Sequence, residues 1–119
     1  MNVGANANCP FCKIARREIP AREEYRDDDV VAFHDLNPQA PVHVLVIPVR
    51  HGDHLSGFAG GAGAAAGLAR LLETAAAIGT RLGPDGYRVV INEGPAAGQT
   101  VHHLHLHVLA GRRMSWPPG

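Results

Sequence analysis

Apolar and polar positions alternate most strictly near the C-terminus, where His103, His105 and His107 interleave with Leu104, Leu106 and Val108. A period of two belongs to an extended strand with one face turned inward. Val101 to Leu109 therefore reads as a β-strand with three imidazoles on one face and aliphatic groups on the other. A helix does not suit the pattern, because residues two apart on a helix do not share a face. Glu23 to Arg26 and Val30 to His34 read as two short strands, with the turn signal Asp27-Asp28-Asp29 between them. Val42 to Ile47 is a third strand, rich in β-branched residues, with Pro48 at its end. Tyr87 to Asn92 is a fourth. The period changes between these last two. From Ala64 onward Leu68, Leu71, Leu72, Ala75, Ile78 and Leu82 follow helical spacing, and Gly83-Pro84 stops the run. The Gly/Ala-rich stretch Ser56 to Gly67 leaves the start of that helix open. A short helical turn through Ile14 to Arg17 is expected near the N-terminus, ended before Ile19-Pro20. Asn37 to Pro41 is a loop with two prolines. Gly94 to Gly98 is another loop, leading into the histidine strand. Met1 to Asn8 is small and polar and is expected to fray.

Mostly neighbouring strands with one long helix inserted give an α+β class. We expect an antiparallel sheet of about five strands, the long helix and a short N-terminal helix, in one domain spanning residues 1–119. Lys+Arg and Asp+Glu are equal at 11 each, so there is no basic footprint for nucleic acid and no attraction to an anionic membrane. No apolar run approaches the length of a bilayer span. The first residues lack the basic and apolar regions of a signal peptide. A cytoplasmic location follows as an expectation, and there the two cysteines should not form a lasting disulfide.

The histidine row changes the picture from fold to chemistry. Neighbouring imidazoles discourage one another from protonating, and polar rings cost free energy to bury unless paired. Such a row suits chemistry better than structure. A neutral imidazole, with an unperturbed pKa of about 6.5, is a good nucleophile towards phosphorus. Attack gives a phospho-imidazole and splits one displacement into two. Directly before the strand, Gly94 to Thr100 forms a glycine-rich loop whose backbone N–H groups can approach a phosphate closely. Cys9-Pro10-Phe11-Cys12 is one half of a zinc pattern. No second cysteine pair exists, so histidines would have to complete it. The plain alternative is two free thiols. A thioredoxin-like redox pair lacks a βαβ unit around it.

His103-Leu104-His105-Leu106-His107-Val108-Leu109 resembles the signature of the histidine triad family, three histidines alternating with apolar residues. Phe33-His34-Asp35, Pro38-Gln39-Ala40-Pro41, His43, Val46-Ile47-Pro48, Asn92-Glu93-Gly94, Gly98-Gln99 and the ending Trp116-Pro117-Pro118-Gly119 are similar to its Hint branch. The resemblance implies the histidine triad fold and a homodimer formed through the long helix and a sheet edge. It implies hydrolysis of the P–N bond of adenosine (purine) 5′-phosphoramidates to AMP and an amine. His105 would be the nucleophile, and His107 would donate to a phosphate oxygen or orient His105. His43 would complete the histidine set, although on its own it reads as an ordinary strand histidine. Asn92, Gly98, Gln99 and Thr100 would contact phosphate or leaving group, with Thr100 standing where many relatives have serine. Asp35 would accept from the ribose hydroxyls; unaided, it reads as a loop-initiating aspartate. Phe11, Ile14, Phe33 and Leu36 could line a purine slot or be plain core. For zinc, the resemblance points to Cys9, Cys12, His51 and His103 as a closed structural site, with His54 a rival to His51. No organic cofactor is implied. Two rival functions are a dinucleoside polyphosphate hydrolase of the Fhit kind, against which the Trp-Pro-Pro-Gly ending argues, and a non-catalytic nucleotide- or zinc-binding adaptor.

Overall fold

Five strands, β1 (Glu23–Arg26), β2 (Val30–His34), β3 (Val42–Pro48), β4 (Tyr87–Val90) and β5 (Leu106–Ala110), form one antiparallel sheet in the order β1-β2-β3-β5-β4. The computed structural model describes residues 8–119. The expected fraying of Met1 to Asn8 therefore lies, up to residue 7, outside the described residues. The helices are α1 (Pro10–Ala15), α2 (Leu55–Ala59) and α3 (Ala64–Leu82), with a 3₁₀ turn at Pro95–Ala97.

The sheet is covered on both faces, which is why β2 and β3 read as nearly unbroken apolar runs. On one face Val30, Ala32, Val44, Val46, Leu106 and Val108 pack against Leu71, Ala75 and Ile78 of α3. On the other, Val31, Phe33, Leu45 and Ile47 pack against Cys9, Phe11, Cys12, Ile14 and Ala15 of the α1 segment. Side chains alternate across a strand. His43, in phase with Leu45 and Ile47, therefore shares the α1 face with His107, which pairs with Leu45 across β3 and β5.

Several expected boundaries move. The first helix runs over Pro10–Ala15 rather than Ile14 to Arg17. Pro10 occupies a first-turn position that needs no N–H, and the Cys9 sulfur accepts from the Cys12 amide at 3.3 Å. Arg17 then adopts a left-handed φ of 62°, and the Arg26 guanidinium donates to the Ile14 and Ala15 carbonyls, closing the C-terminal end. The Gly/Ala-rich stretch divides into α2, a glycine-rich break and the first turns of α3. Leu72 leaves the expected apolar stripe and is 53% exposed.

The histidine strand is also shorter than its pattern. The ladder begins at Leu106, not Val101, and β4 stops at Val90, opposite His107. The β3–β5 ladder ends at Val46↔Leu106, close to Pro48, which has no N–H to offer. Upstream of it, backbone groups find partners other than a neighbouring strand. The Leu104 amide donates to the Gly52 carbonyl at 2.7 Å, and two imidazoles bond the Pro48 and His103 carbonyls. The in–out alternation survives without the ladder. Leu104, Leu106 and Val108 lie in the α3 core, while Phe11 of α1 meets the His103 and His105 rings edge-on.

Candidate active site and metal centre

The α1 segment, the turn after β3 and the approach to β5 bring Cys9, Cys12, His51 and His103 together, their ligand atoms all within 4.8 Å of one another. His103 Nδ1 lies 3.2 Å from Cys9 Sγ, 3.5 Å from Cys12 Sγ and 3.2 Å from His51 Nδ1. Cys12 Sγ is 3.2 Å from His51 Nδ1. Zinc bound tetrahedrally at its usual bond lengths sets sulfur and nitrogen ligands roughly 3.3–3.8 Å apart, so only a slight expansion is required. The outer contacts fix the ligating atoms. His103 Nε2 donates to the Pro48 carbonyl at 2.8 Å, and His51 Nε2 donates to Asp53 at 2.6 Å. Both Nδ1 lone pairs are thereby turned towards the thiols and towards each other, an arrangement that suits a cation between them. Burial pushes His103 down to about 4, keeping it in the neutral, ligating form. His54 is engaged elsewhere, capping α2 by accepting from the Gly57 amide at 3.0 Å. Of the two rivals, His51 is the one in the cluster.

The other two triad histidines face a different way. His105 Nδ1 donates to the His103 carbonyl at 2.7 Å, which leaves the lone pair on Nε2. The His105 and His107 rings are 5.0 Å apart. His107 Nδ1 lies 2.9 Å from His43 Nε2, while His107 Nε2 is buried without a partner. Burial lowers the pKa of all three rings. For His107 the neighbouring His105 and His43 add to it and Asp35 opposes, leaving it at about 4. The site is a set of neutral imidazoles at neutral pH.

Around it, Asp35 Oδ1 accepts from the Asn37 amide at 2.8 Å, and Oδ2 stands 3.5 Å from His43 Nε2. Phe11, Ile14 and Phe33 are buried core, with Phe11 and Phe33 packed edge-on at 5.5 Å. Leu36 is fully exposed and packs against nothing in its own chain. The glycine-rich loop is held from within by Gln99. Its Oε1 accepts from the Gly94 amide at 3.0 Å, and its Nε2 donates to the carbonyls of Asp53 at 2.6 Å and Val101 at 3.1 Å. The Gln99 side chain is thus a brace between the loop and the segment after the metal cluster. Gly98 takes a φ of 91°, open to glycine at little cost. Thr100 is exposed and Asn92 half-buried. Sequence reasoning missed the Gln39 amide and Asp53; the first is a main-chain group with no sequence signal, and the second is an ordinary-looking aspartate two residues after a ligand. A concavity of about 660 Å³, lined by Tyr87, Arg88 and Arg112 among others, lies between the end of α3 and the β4 edge and includes none of the histidines.

A family model described as the HIT domain matches residues 16–114. The chain belongs to the HIT family. Its relatives include an uncharacterised HIT-like protein of Synechococcus elongatus, 54% identical, the match covering 92% of this chain and 95% of the relative. A 14 kDa zinc-binding protein of Zea mays is 48% identical over 92% of this chain and 86% of its own length. Among solved structures, a HIT family hydrolase of Legionella pneumophila superposes with a TM-score of 0.88 at 43% identity, covering 94% of this chain and all of the other. As a HIT protein the chain keeps all three histidines of the triad, and its five-stranded antiparallel sheet with one long helix is the HIT fold.

Proposed function

We propose that this HIT protein belongs to the Hint branch and hydrolyses purine nucleoside 5′-phosphoramidates, adenosine 5′-phosphoramidates first among them. The observation that carries the reading is the His105 Nδ1–H bond to the His103 carbonyl, which leaves a neutral Nε2 lone pair beside His107. In the reaction, His105 Nε2 attacks phosphorus and the P–N bond breaks. The amine leaves with a proton taken up from solvent, which the later attack of water returns, and the nucleotidyl group stays on His105. Water then attacks that phosphorus, releasing AMP and restoring the neutral ring. Net, one water is consumed. His107 stabilises a non-bridging phosphate oxygen, and the loop at Gly98 to Thr100 receives the phosphate and the leaving group. Asp35 takes the ribose hydroxyls. Phe11, Ile14 and Phe33 are the wall behind the purine, and exposed Leu36 closes over it.

Zinc at Cys9, Cys12, His51 and His103 is structural in this reading. When bound, it ties the N-terminal segment to the strand that carries His105. We further propose a homodimer, with the exposed Leu72 of α3 and Tyr87 of the β4 edge in the contact, in the cytoplasm, where the thiols stay reduced. Among the described residues, no helix is long and apolar enough to cross a membrane. The test is turnover of an adenosine 5′-phosphoramidate by the wild type beside His105→Ala. Release of amine and AMP by the wild type alone supports the reading; equal release by both, or by neither, contradicts it.

A further inference from the structure

His43 Nδ1 lies 3.0 Å from the backbone nitrogen of Gln39. An amide N–H only donates, so this Nδ1 accepts through its lone pair. The proton of the ring is then on Nε2. That N–H points at His107 Nδ1, 2.9 Å away, with Asp35 Oδ2 a more distant neighbour at 3.5 Å. An N–H on His107 Nδ1 would face an N–H on His43, so His107 Nδ1 also accepts. The His107 proton must therefore be on Nε2, the buried nitrogen without a partner.

We infer that the main-chain amide of Gln39, acting through His43, fixes His107 as an Nε2–H donor aimed at the reacting phosphate. Gln39 and His43 are positioning residues: neither needs to touch the substrate. Two opposite tautomers then stand side by side. His105 carries its proton on Nδ1 and offers a lone pair; His107 carries its proton on Nε2 and offers a donor. A buried donor left unpaired costs free energy in the resting protein. A phosphate oxygen restores the bond, so the cost favours the bound state. The inference deepens the phosphoramidase reading and rests on it for the identity of the acceptor.

Long-range ¹H–¹⁵N spectra of the ¹⁵N-labelled full chain near neutral pH assign each ring nitrogen as protonated or lone-pair. The expected result is Nε2–H at His43 and His107, Nδ1–H at His105, and through-bond N–N couplings from Gln39 to His43 and from His43 to His107. An Nδ1–H tautomer at His43 or His107 overturns the inference. A second arm compares His43→Gln, whose side-chain amide still donates, with His43→Phe, which cannot. His107 should keep Nε2–H in the first and become a tautomer mixture in the second, with kcat lowered on the order of 10²-fold only in the second. An unchanged His107 tautomer in His43→Phe also overturns it. Absence of phosphoramidate turnover in the wild type would remove the proposed function and leave the tautomer result standing, so the two failures are separable.

Discussion

The residues that matter most here are defined by which nitrogen carries a proton. His105 is held in one tautomer by a carbonyl two residues upstream, and His103 is turned towards the cysteines by the carbonyl of Pro48. Neither partner has a side-chain signature, so the sequence pattern locates the imidazoles without revealing their orientation. The same limit applies to His51 and His54: spacing allows either beside the cysteines, and in the structure His51 stands in the cluster while His54 caps α2. The depressed pKa of His107 has a consequence for stability. In the unfolded chain this ring protonates near pH 6.5; in the folded one it stays neutral until about 4. Below about pH 6.5 the unfolded state binds the extra proton, so stability is full above that pH and falls as pH drops towards 4. Melting temperatures measured across that window should decline less steeply for His107→Asn than for wild type. Parallel slopes would show that His107 is not a source of the acid sensitivity.

Among the elements, β1 is legible from its alternation and the turn signal after it, and β2 and β3 from nearly unbroken apolar runs that match a sheet covered on both faces. The histidine strand was legible in its rhythm and not in its ladder. Alternation needs only extended backbone, whereas a ladder needs a partner, and the Pro48 end of β3 supplies none beyond Leu106. The start of α1 was set by the Cys9 sulfur and Pro10, local capping signals that the apolar pattern does not contain. Leu72 has the right spacing for the core of α3 but faces outward, because that helix buries a narrow stripe. The tight point of α3 is Gly79: a Cβ there would lie 2.4 Å from the Tyr87 ring of β4. Gly79→Ala gains about 1 kcal/mol of helix propensity but overpacks this contact by about 1–3 kcal/mol. Urea denaturation should show net destabilisation in the wild-type background and none, or a small gain, when Tyr87→Ala is also present. The same loss in both backgrounds would mean that Tyr87 is not the obstacle.

For the molecule as a whole, the sheet acts as a divider. One face supplies the α3 core; the other gathers the candidate metal ligands and the site histidines. The proposed zinc ion would link three separate stretches of chain, so part of its binding free energy should appear as folding stability. Protein purified without chelator should hold a single zinc per chain. Cys9→Ser with Cys12→Ser should lose it and melt lower by several degrees, on the scale of a loss of about 1–2 kcal/mol. Turnover should fall but persist, because the zinc cluster is linked to His105 through the His103 backbone and the Phe11 ring, while the His105 lone pair itself stays free for the reaction. Wild-type protein without metal would contradict the site, and a folded, metal-free variant without any turnover would contradict its structural role.

In the proposed reaction His105, and no other imidazole, becomes covalently nucleotidylated. Wild-type protein mixed with an adenosine 5′-phosphoramidate, quenched within a turnover and digested for mass spectrometry, measures this directly. The expected result is an adenylyl group on the peptide carrying the triad, localised by fragmentation to His105 and missing in His105→Asn. An adduct on His103, His107 or His43, or turnover with no adduct at any quench time, would contradict it.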